Sequence, residues 1–257
     1  MRVVCLAENT SIGEHIGAEH GLSLYIEANG HKLLFDMGQT ALFADNAAVL
    51  GIDLTAVDTA ILSHGHYDHG GGLPTFLGIN THAPVYLSRY AFDPHFNGDK
   101  YIGLDTSLTD NNRLQFTDGV YDLGDGLTLY ANASDVGDLR HGCAGLSAEI
   151  NGIRCDEDYR HEQYLLIEES GRRILISGCS HRGITEITDY FHPDVLIGGF
   201  HISKLTPDEA VSQYAASLNT FNTDYYTCHC TGTAQYDVLS AVMPRLSYLS
   251  GGQQFIL

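Results

Sequence analysis

The chain has 257 residues, is 44% hydrophobic, and sets 13 Lys and Arg against 32 Asp and Glu for a formal charge of −19. That length suits one large domain or two small ones. The charge argues against nucleic acid and anionic membranes as partners, because phosphate neutralisation needs clustered Lys and Arg. A small anionic substrate is still allowed, since bound divalent cations reverse the local sign.

No apolar run approaches the roughly 20 residues that span a bilayer. The opening Met1-Arg2-Val3-Val4-Cys5-Leu6-Ala7-Glu8 reads as a first strand rather than a leader. Six scattered cysteines point to free thiols in a reducing compartment, so a cytoplasmic location is expected.

In chain order, a strand over 2–6 precedes a polar loop over 8–20. Strands over 22–27 and 32–36 flank an Asn-Gly turn, a hairpin signal. A helix is expected over 41–50, then strands over 59–62 and 84–88. The aromatic, Asn- and Gly-rich stretch near 90–118 has little periodicity and reads as an insertion in a single domain spanning 1–257. A second series opens with a hairpin over 120–123 and 127–131, then an irregular stretch over 134–161. Strands over 163–168 and 172–177, a helix over 182–191 and a strand over 195–197 follow. A helix over 207–219, with Pro207 just inside its start, a strand over 224–227 and a helix over 233–243 complete the order. Strands and helices mixed in this way fit an α/β (α+β) class, with two sheets packed face to face and helices outside both.

The chemistry concentrates in His64-Gly65-His66-Tyr67-Asp68-His69, which directly follows the apolar run Thr59–Ser63. A strand that ends in a glycine-broken loop can aim several imidazoles at one point, and imidazole with carboxylate suits zinc and other first-row metals. The bland alternatives are a polar loop that happens to be rich in histidine and an appended histidine tag, and a tag would be terminal and free of the ordered apolar flank. Three later strands also end in Cys or His among small residues: Ser177-Gly178-Cys179-Ser180-His181, Gly198-Gly199-Phe200-His201 and Cys228-His229-Cys230-Thr231-Gly232. One cation needs about four ligands, and two cations about 4 Å apart can share a bridging hydroxide. His64 and His66 alternate along extended backbone and could share one cation, with Asp68 and His69 turned toward a second. His181 could complete the first set and His229 the second.

These residues resemble the metallo-β-lactamase superfamily, whose H-x-H-x-D-H signature matches His64–His69. Its strand-Asp-x-Gly element matches Leu34-Phe35-Asp36-Met37-Gly38. Glu19-His20-Gly21-Leu22-Ser23 and the three later motifs resemble one subgroup, named for 7,8-dihydropterin-6-methyl-4-(β-D-ribofuranosyl)aminobenzene-5'-phosphate synthase. The resemblance spans residues 3 to 240. It implies a four-layer αββα sandwich with a dinuclear metal centre in a cleft at the sheet edges, most naturally zinc, with manganese or iron as alternatives. It implies a metal-bound hydroxide as nucleophile, and it carries over His64, His66, Asp68, His69 and His229 as ligands.

The chain departs from the superfamily in two places. Gly178-Cys179 stands where many members have Gly-Asp, whose carboxylate bridges the metals, and His161-Glu162-Gln163 stands where a Pro-Gly-His element is usual. His181 is therefore assigned as the sixth ligand and Cys179 as a further candidate, whose soft thiolate would favour zinc.

Asp68 is expected to orient the attacking hydroxide as well as to ligate. His201, after two glycines, is expected to bind substrate or act in acid–base catalysis. Asn9 and His20, on the early loop, are candidates for substrate contact. Asp36 is expected to organise the metal loop from behind. Cys228 and Cys230 read as small buried residues, and His95, His141 and His161 as surface or structural. Tyr90, Phe92, Phe96 and Tyr101 either line the cleft mouth or hold the insertion down. The apolar Phe255-Ile256-Leu257 either caps an edge strand or meets another subunit.

The leading expectation is a metal-dependent hydrolase acting on a phosphoester or other small anionic substrate. The alternatives are a transferase joining a dihydropterin diphosphate to a ribofuranosyl-aminobenzene phosphate, and a non-catalytic metal-dependent binding protein.

Overall fold

The computed structural model describes residues 1–131 and 145–257. The expectation for His141, and part of that for 134–161, lie outside the described residues. One seven-stranded sheet runs edge to edge through Gln254–Ile256, Arg2–Ala7, Ser23–Ala28, His31–Phe35, Thr59–Ile61, Val85–Ser88 and Leu114–Thr117. The other runs through Leu246–Tyr248, Asp224–Thr227, Val195–Ile197, Arg172–Ile176, Gln163–Glu169, Leu127–Ala131 and Gly119–Gly124. Each sheet is part antiparallel hairpin and part parallel, and the parallel strands carry the His and Cys loops.

The layers follow from side-chain alternation. Val3, Cys5, Leu24, Ile26, Leu33 and Phe35 of the first sheet meet Leu129, Leu165, Ile167, Ile174, Ile176, Val195 and Ile197 of the second in one buried cluster. The opposite face of the first sheet, with Val4, Leu34, Ala60 and Val85, packs on Phe43 and Ala47 of helix Leu42–Val49 and Phe76 of helix Leu73–Ile79. The outer face of the second sheet, with Leu166, Leu175, Leu196 and Tyr225, packs on helix Ile184–Phe191, the helical run 207–218 and helix Thr233–Ser240. The result is an αββα sandwich. Each fully buried Leu, Ile or Phe contributes about 1.5–3 kcal/mol through apolar burial. No helix among the described residues is long and apolar enough to cross a membrane.

Two stretches of the region read as irregular differ from the sequence reading, while the C-terminus takes one of its two expected places. Leu114–Thr117, within the stretch read as aperiodic, pairs in parallel with Val85–Ser88 and extends the first sheet. Its alternation is hidden because Gln115 and Phe116 both face solvent at the sheet edge. His95–Asn97 and Lys100–Tyr101 join the hairpin Leu146–Ile150 and Ile153–Asp156 in a four-stranded sheet. That sheet is assembled from segments 50 residues apart, which local periodicity cannot reveal. The C-terminal Gln254–Ile256 caps the edge at Arg2–Ala7.

Candidate metal centre

Strand Thr59–Ile61 hands on to Leu62 and Ser63, and the chain then threads between neighbours at Gly65, where a Cβ would collide with the Ala91 carbonyl oxygen. His64 and His66 lie on extended backbone. His66 then caps the short helix Tyr67–Gly70, which carries Asp68 and His69. That switch from extended to helical backbone splits the four side chains between two flanks. From the second sheet, Cys179 and His181 follow Arg172–Ile176, His201 follows Val195–Ile197, and His229 follows Asp224–Thr227. Asp36, Ser180, His201 and His229 all have left-handed backbone, with φ of 59°, 56°, 53° and 49°. Such non-glycine outliers are uncommon and tend to cluster at functional sites.

On one flank His64, Cys179 and His181 bring their donor atoms within 4.8 Å of one another, and His66 stands edge-on to both imidazoles. On the other flank His69 Nε2 lies 3.2 Å from both Cys179 Sγ and His229 Nε2. His229 Nε2 also lies 3.4 Å from Asp68 Oδ2. Cys179 therefore faces both groups.

Most of these imidazoles are held from behind. Asp36 accepts from the Ser63 backbone N–H and hydroxyl, both at 2.7 Å, and pairs with His69 Nδ1 at 2.6 Å. The single Ser63 hydroxyl proton goes to that carboxylate, so His64 Nδ1, 2.8 Å from Ser63 Oγ, must be the donor there. Nε2 of His64 is then the open lone pair. Asn9 Oδ1, 2.8 Å from His229 Nδ1, and Glu162 Oε1, 3.1 Å from His181 Nδ1, fix those two rings in the same sense. Glu8 also accepts the His229 backbone N–H at 2.6 Å.

Electrostatics divide along the same line. Burial, reinforced by neighbouring imidazoles, pushes His64 and His66 well below the usual histidine range, so both imidazoles are neutral. Burial opposes charge on His69 too, but the Asp36 carboxylate overrides it and raises His69 to about 9. Burial works against the Asp68 carboxylate, yet hydrogen bonds from His20 and His229 hold it well below its ordinary value. Burial lifts the Cys179 thiol, while Cys230, beside Cys179 and His201, falls to about 5.

The residues fit a divalent transition cation. The Nε2 atoms of His64 and His66 are buried without a hydrogen-bond partner among the described residues. Unpaired buried nitrogens are costly, and an imidazole, thiolate and carboxylate donor set suits zinc-like ions.

All the residues expected at the site lie around this cleft. Asp36 stands behind His69 as expected, and Asn9 orients His229. His20, half-exposed, pairs with Asp68 at 3.2 Å. His201 lines the cleft with its Nδ1 unpartnered.

Other readings change. Cys228 is buried core, but Cys230 lines the cleft and groups with Cys179 and His201. Of the two placements expected for His95 and His161, the structural one holds: both are fully buried beside His66. Phe92 packs on the first core and Phe96 stacks edge-on with Tyr101, so these rings hold their segment down; Tyr67, Lys100 and Ile102 line the cleft instead. Glu8, Glu162, Lys100 and Lys204 escaped the sequence reading. The only signal for Glu8 was its place at the end of a strand, and Glu162 bonds a residue 19 positions on.

Residues 16–132 match the sequence model of the metallo-beta-lactamase superfamily. A solved structure described as Tm1679, a metal-dependent hydrolase of the beta-lactamase superfamily, superposes with a TM-score of 0.85 at 28% identity, over 100% of this chain and 99% of that one. The 7,8-dihydropterin-6-methyl-4-(beta-D-ribofuranosyl)-aminobenzene-5'-phosphate synthase of Methanocaldococcus jannaschii is 27% identical over 90% of this chain and 88% of its own. An uncharacterized protein of the same organism is 25% identical over 88% of this chain and 89% of its own. Members of this superfamily generally bind divalent metals, in keeping with the His, Cys and carboxylate clusters here. The matched segment 16–132 and the αββα fold are similar to those of the metallo-β-lactamase superfamily.

Proposed function

We propose that the chain is a metal-dependent hydrolase of a phosphoester or similar small anionic substrate, with His64, His66, Asp68, His69, His181 and His229 as ligands of two divalent cations, most naturally zinc. Cys179 lies where it can serve both. Two cations held there supply a water of lowered pKa and polarise a substrate oxygen.

The chain's own residues do the rest. Asp68, next to His20 and His229, is placed to orient the attacking water. His201 offers an unpartnered nitrogen to a substrate oxygen or leaving group. The observation that carries the anionic substrate is the cleft mouth. Lys100 and Lys204 both line it, two of only three lysines in a chain of charge −19. Lys100 donates to Tyr67 at 3.0 Å, which holds its ammonium over the opening. Two ammonium groups above a cation pair attract and hold phosphate by charge.

The full-length similarity to the methanogen synthase favours one second reading: the same cleft joining a dihydropterin diphosphate to a ribofuranosyl-aminobenzene phosphate. The test is nitrophenol release from mono- and bis(4-nitrophenyl) phosphate by zinc- or manganese-loaded protein, with Lys204→Ala beside it. Hydrolysis should vanish with chelator and return with metal, and Lys204→Ala should raise KM several-fold more than it lowers kcat. Turnover indifferent to chelator would overturn the proposal, and a coupled pterin product without ester hydrolysis would favour the second reading.

A further inference from the structure

Three strand ends converge at the cleft, and the proposed chemistry leaves Cys230, on one of them, unused. Cys179 follows strand Arg172–Ile176, Gly198-Gly199 follows Val195–Ile197, and Cys230 follows Asp224–Thr227, three neighbours in one sheet. The two cysteines thus come from strands that do not pair with each other, and the glycines between them decide whether their side chains meet. The Gly199 backbone N–H donates to the Gly178 carbonyl at 2.8 Å, which draws the middle loop against the loop of Cys179. A Cβ on Gly199 would collide with Cys230 Sγ, so the Cys230 side chain fills the space that any other residue at 199 would occupy.

With that space open, the two thiols meet. Cys230 Sγ lies 3.5 Å from the Cys179 carbonyl oxygen, the two sulfurs are within 4.8 Å of each other, and the side chains share a hydrogen bond. The remaining gap to the roughly 2.05 Å of a disulfide is within the swing of a cysteine side chain about its Cβ. Both residues line the cleft, which gives a small solute access to otherwise buried sulfur. Cys5 and Cys228 are placed differently, in the core between the sheets, and Cys155 lies exposed on strand Ile153–Asp156.

We infer that Cys179 and Cys230 are a reversible disulfide pair, oxidised by hydrogen peroxide that enters the cleft. The Cys230 sulfur, which receives the His201 backbone N–H at 3.2 Å, attacks one peroxide oxygen. The O–O bond breaks, leaving a sulfenic acid on Cys230 and one water. The Cys179 sulfur then attacks Cys230 Sγ, the S–O bond breaks, and the second oxygen leaves as water. Two thiols give up two protons and two electrons, and one peroxide becomes two waters. The bond removes the thiol that faces both flanks of the cleft, and so ties cation binding to oxidant. A disulfide at an open cleft is of the labile, regulatory kind rather than a structural staple. The pair itself needs no particular reaction; only its effect on cations rests on reading the cleft as a cation centre.

The test is oxidation of the reduced, metal-free chain by a slight excess of hydrogen peroxide. Free thiols are counted with a chromogenic disulfide in denaturant, and tandem mass spectrometry of the unreduced digest locates the link. Two of the six thiols should be lost, as a bond between Cys179 and Cys230, and dithiothreitol should restore both. Cys179→Ser should stop at the sulfenic acid on Cys230, trapped as a dimedone adduct that the wild type does not give. Cys230→Ser should form no link at Cys179. Zinc should slow the oxidation several-fold, and the oxidised chain should take up zinc more weakly until it is reduced. A link between other cysteines, or sulfinic acid at both positions with no link, would overturn the inference. A Cys179–Cys230 bond that leaves zinc affinity unchanged would overturn its tie to cation binding. A reduced chain that takes up no zinc, yet still forms the bond, would instead overturn the reading of the cleft.

Discussion

The two flanks of the cleft are built from the same kinds of residue in opposite order. Around His69 the carboxylates are close: Asp68 faces the cleft and Asp36 touches His69 Nδ1 directly. Around His64, His66 and His181 the cleft wall is imidazole with the shared Cys179 thiol, and the carboxylates Glu162 and Glu157 stand one step behind. The first flank brings carboxylate charge into the site, and the second presents the neutral imidazoles of His64 and His66. Charge next to the ion raises affinity for any divalent cation, whereas imidazole and sulfur donors select borderline-soft ions such as zinc. Cys179, shared between them, adds a soft donor where a carboxylate is usual in the superfamily.

The largest effect that would sharpen this contrast is at Asp36. Asp36→Asn places an amide N–H against one of three buried donors, and an unsatisfied buried group costs about 1–3 kcal/mol. The melting temperature should drop by several degrees, and cation affinity on the His69 flank should fall about 10–100-fold while the other flank holds. Calorimetric titration with zinc measures both steps, and equal loss on the two flanks would break the distinction.

The smallest effect is a control outside both. His31 bridges the two sheets' loops, with Nε2 and Nδ1 each 3.2 Å from Asp125 and Asp58. Asp125, then Asp58, raises its pKa. A raised folded value means the contribution is complete below the unfolded pKa of about 6.5 and disappears as pH rises through the folded one. His31→Ala should therefore cost roughly 0.5 kcal/mol at pH 5.5 and nothing at pH 9, since half-exposed pairs contribute little. Denaturant melts at the two pH values check this, and cation binding should not change.

Much of this was legible from the chain. The histidine loop, Asp36 and the later strand-end His and Cys residues sit at short spacing or after apolar runs, where local pattern carries the signal. The layered fold followed from short continuous apolar runs such as Val3–Ala7 and Ile174–Ile176, buried on both faces. The carboxylates behind the candidate ligands were not legible, because Glu162 and Glu8 reach His181 and His229, 19 and 221 positions away, and Glu157 bonds His95, 62 positions away. The small sheet failed for the same reason, with His95–Asn97 pairing across to Leu146–Ile150. Strand Leu114–Thr117 was missed because an edge strand needs little alternation.

The most direct test is metal content per chain, by elemental analysis of untagged protein purified without chelator. The account predicts two equivalents of divalent transition metal, one of which is lost in His181→Ala and the other in His229→Ala. A single equivalent in the wild type, or the same equivalent lost in both variants, would contradict the two-flank centre.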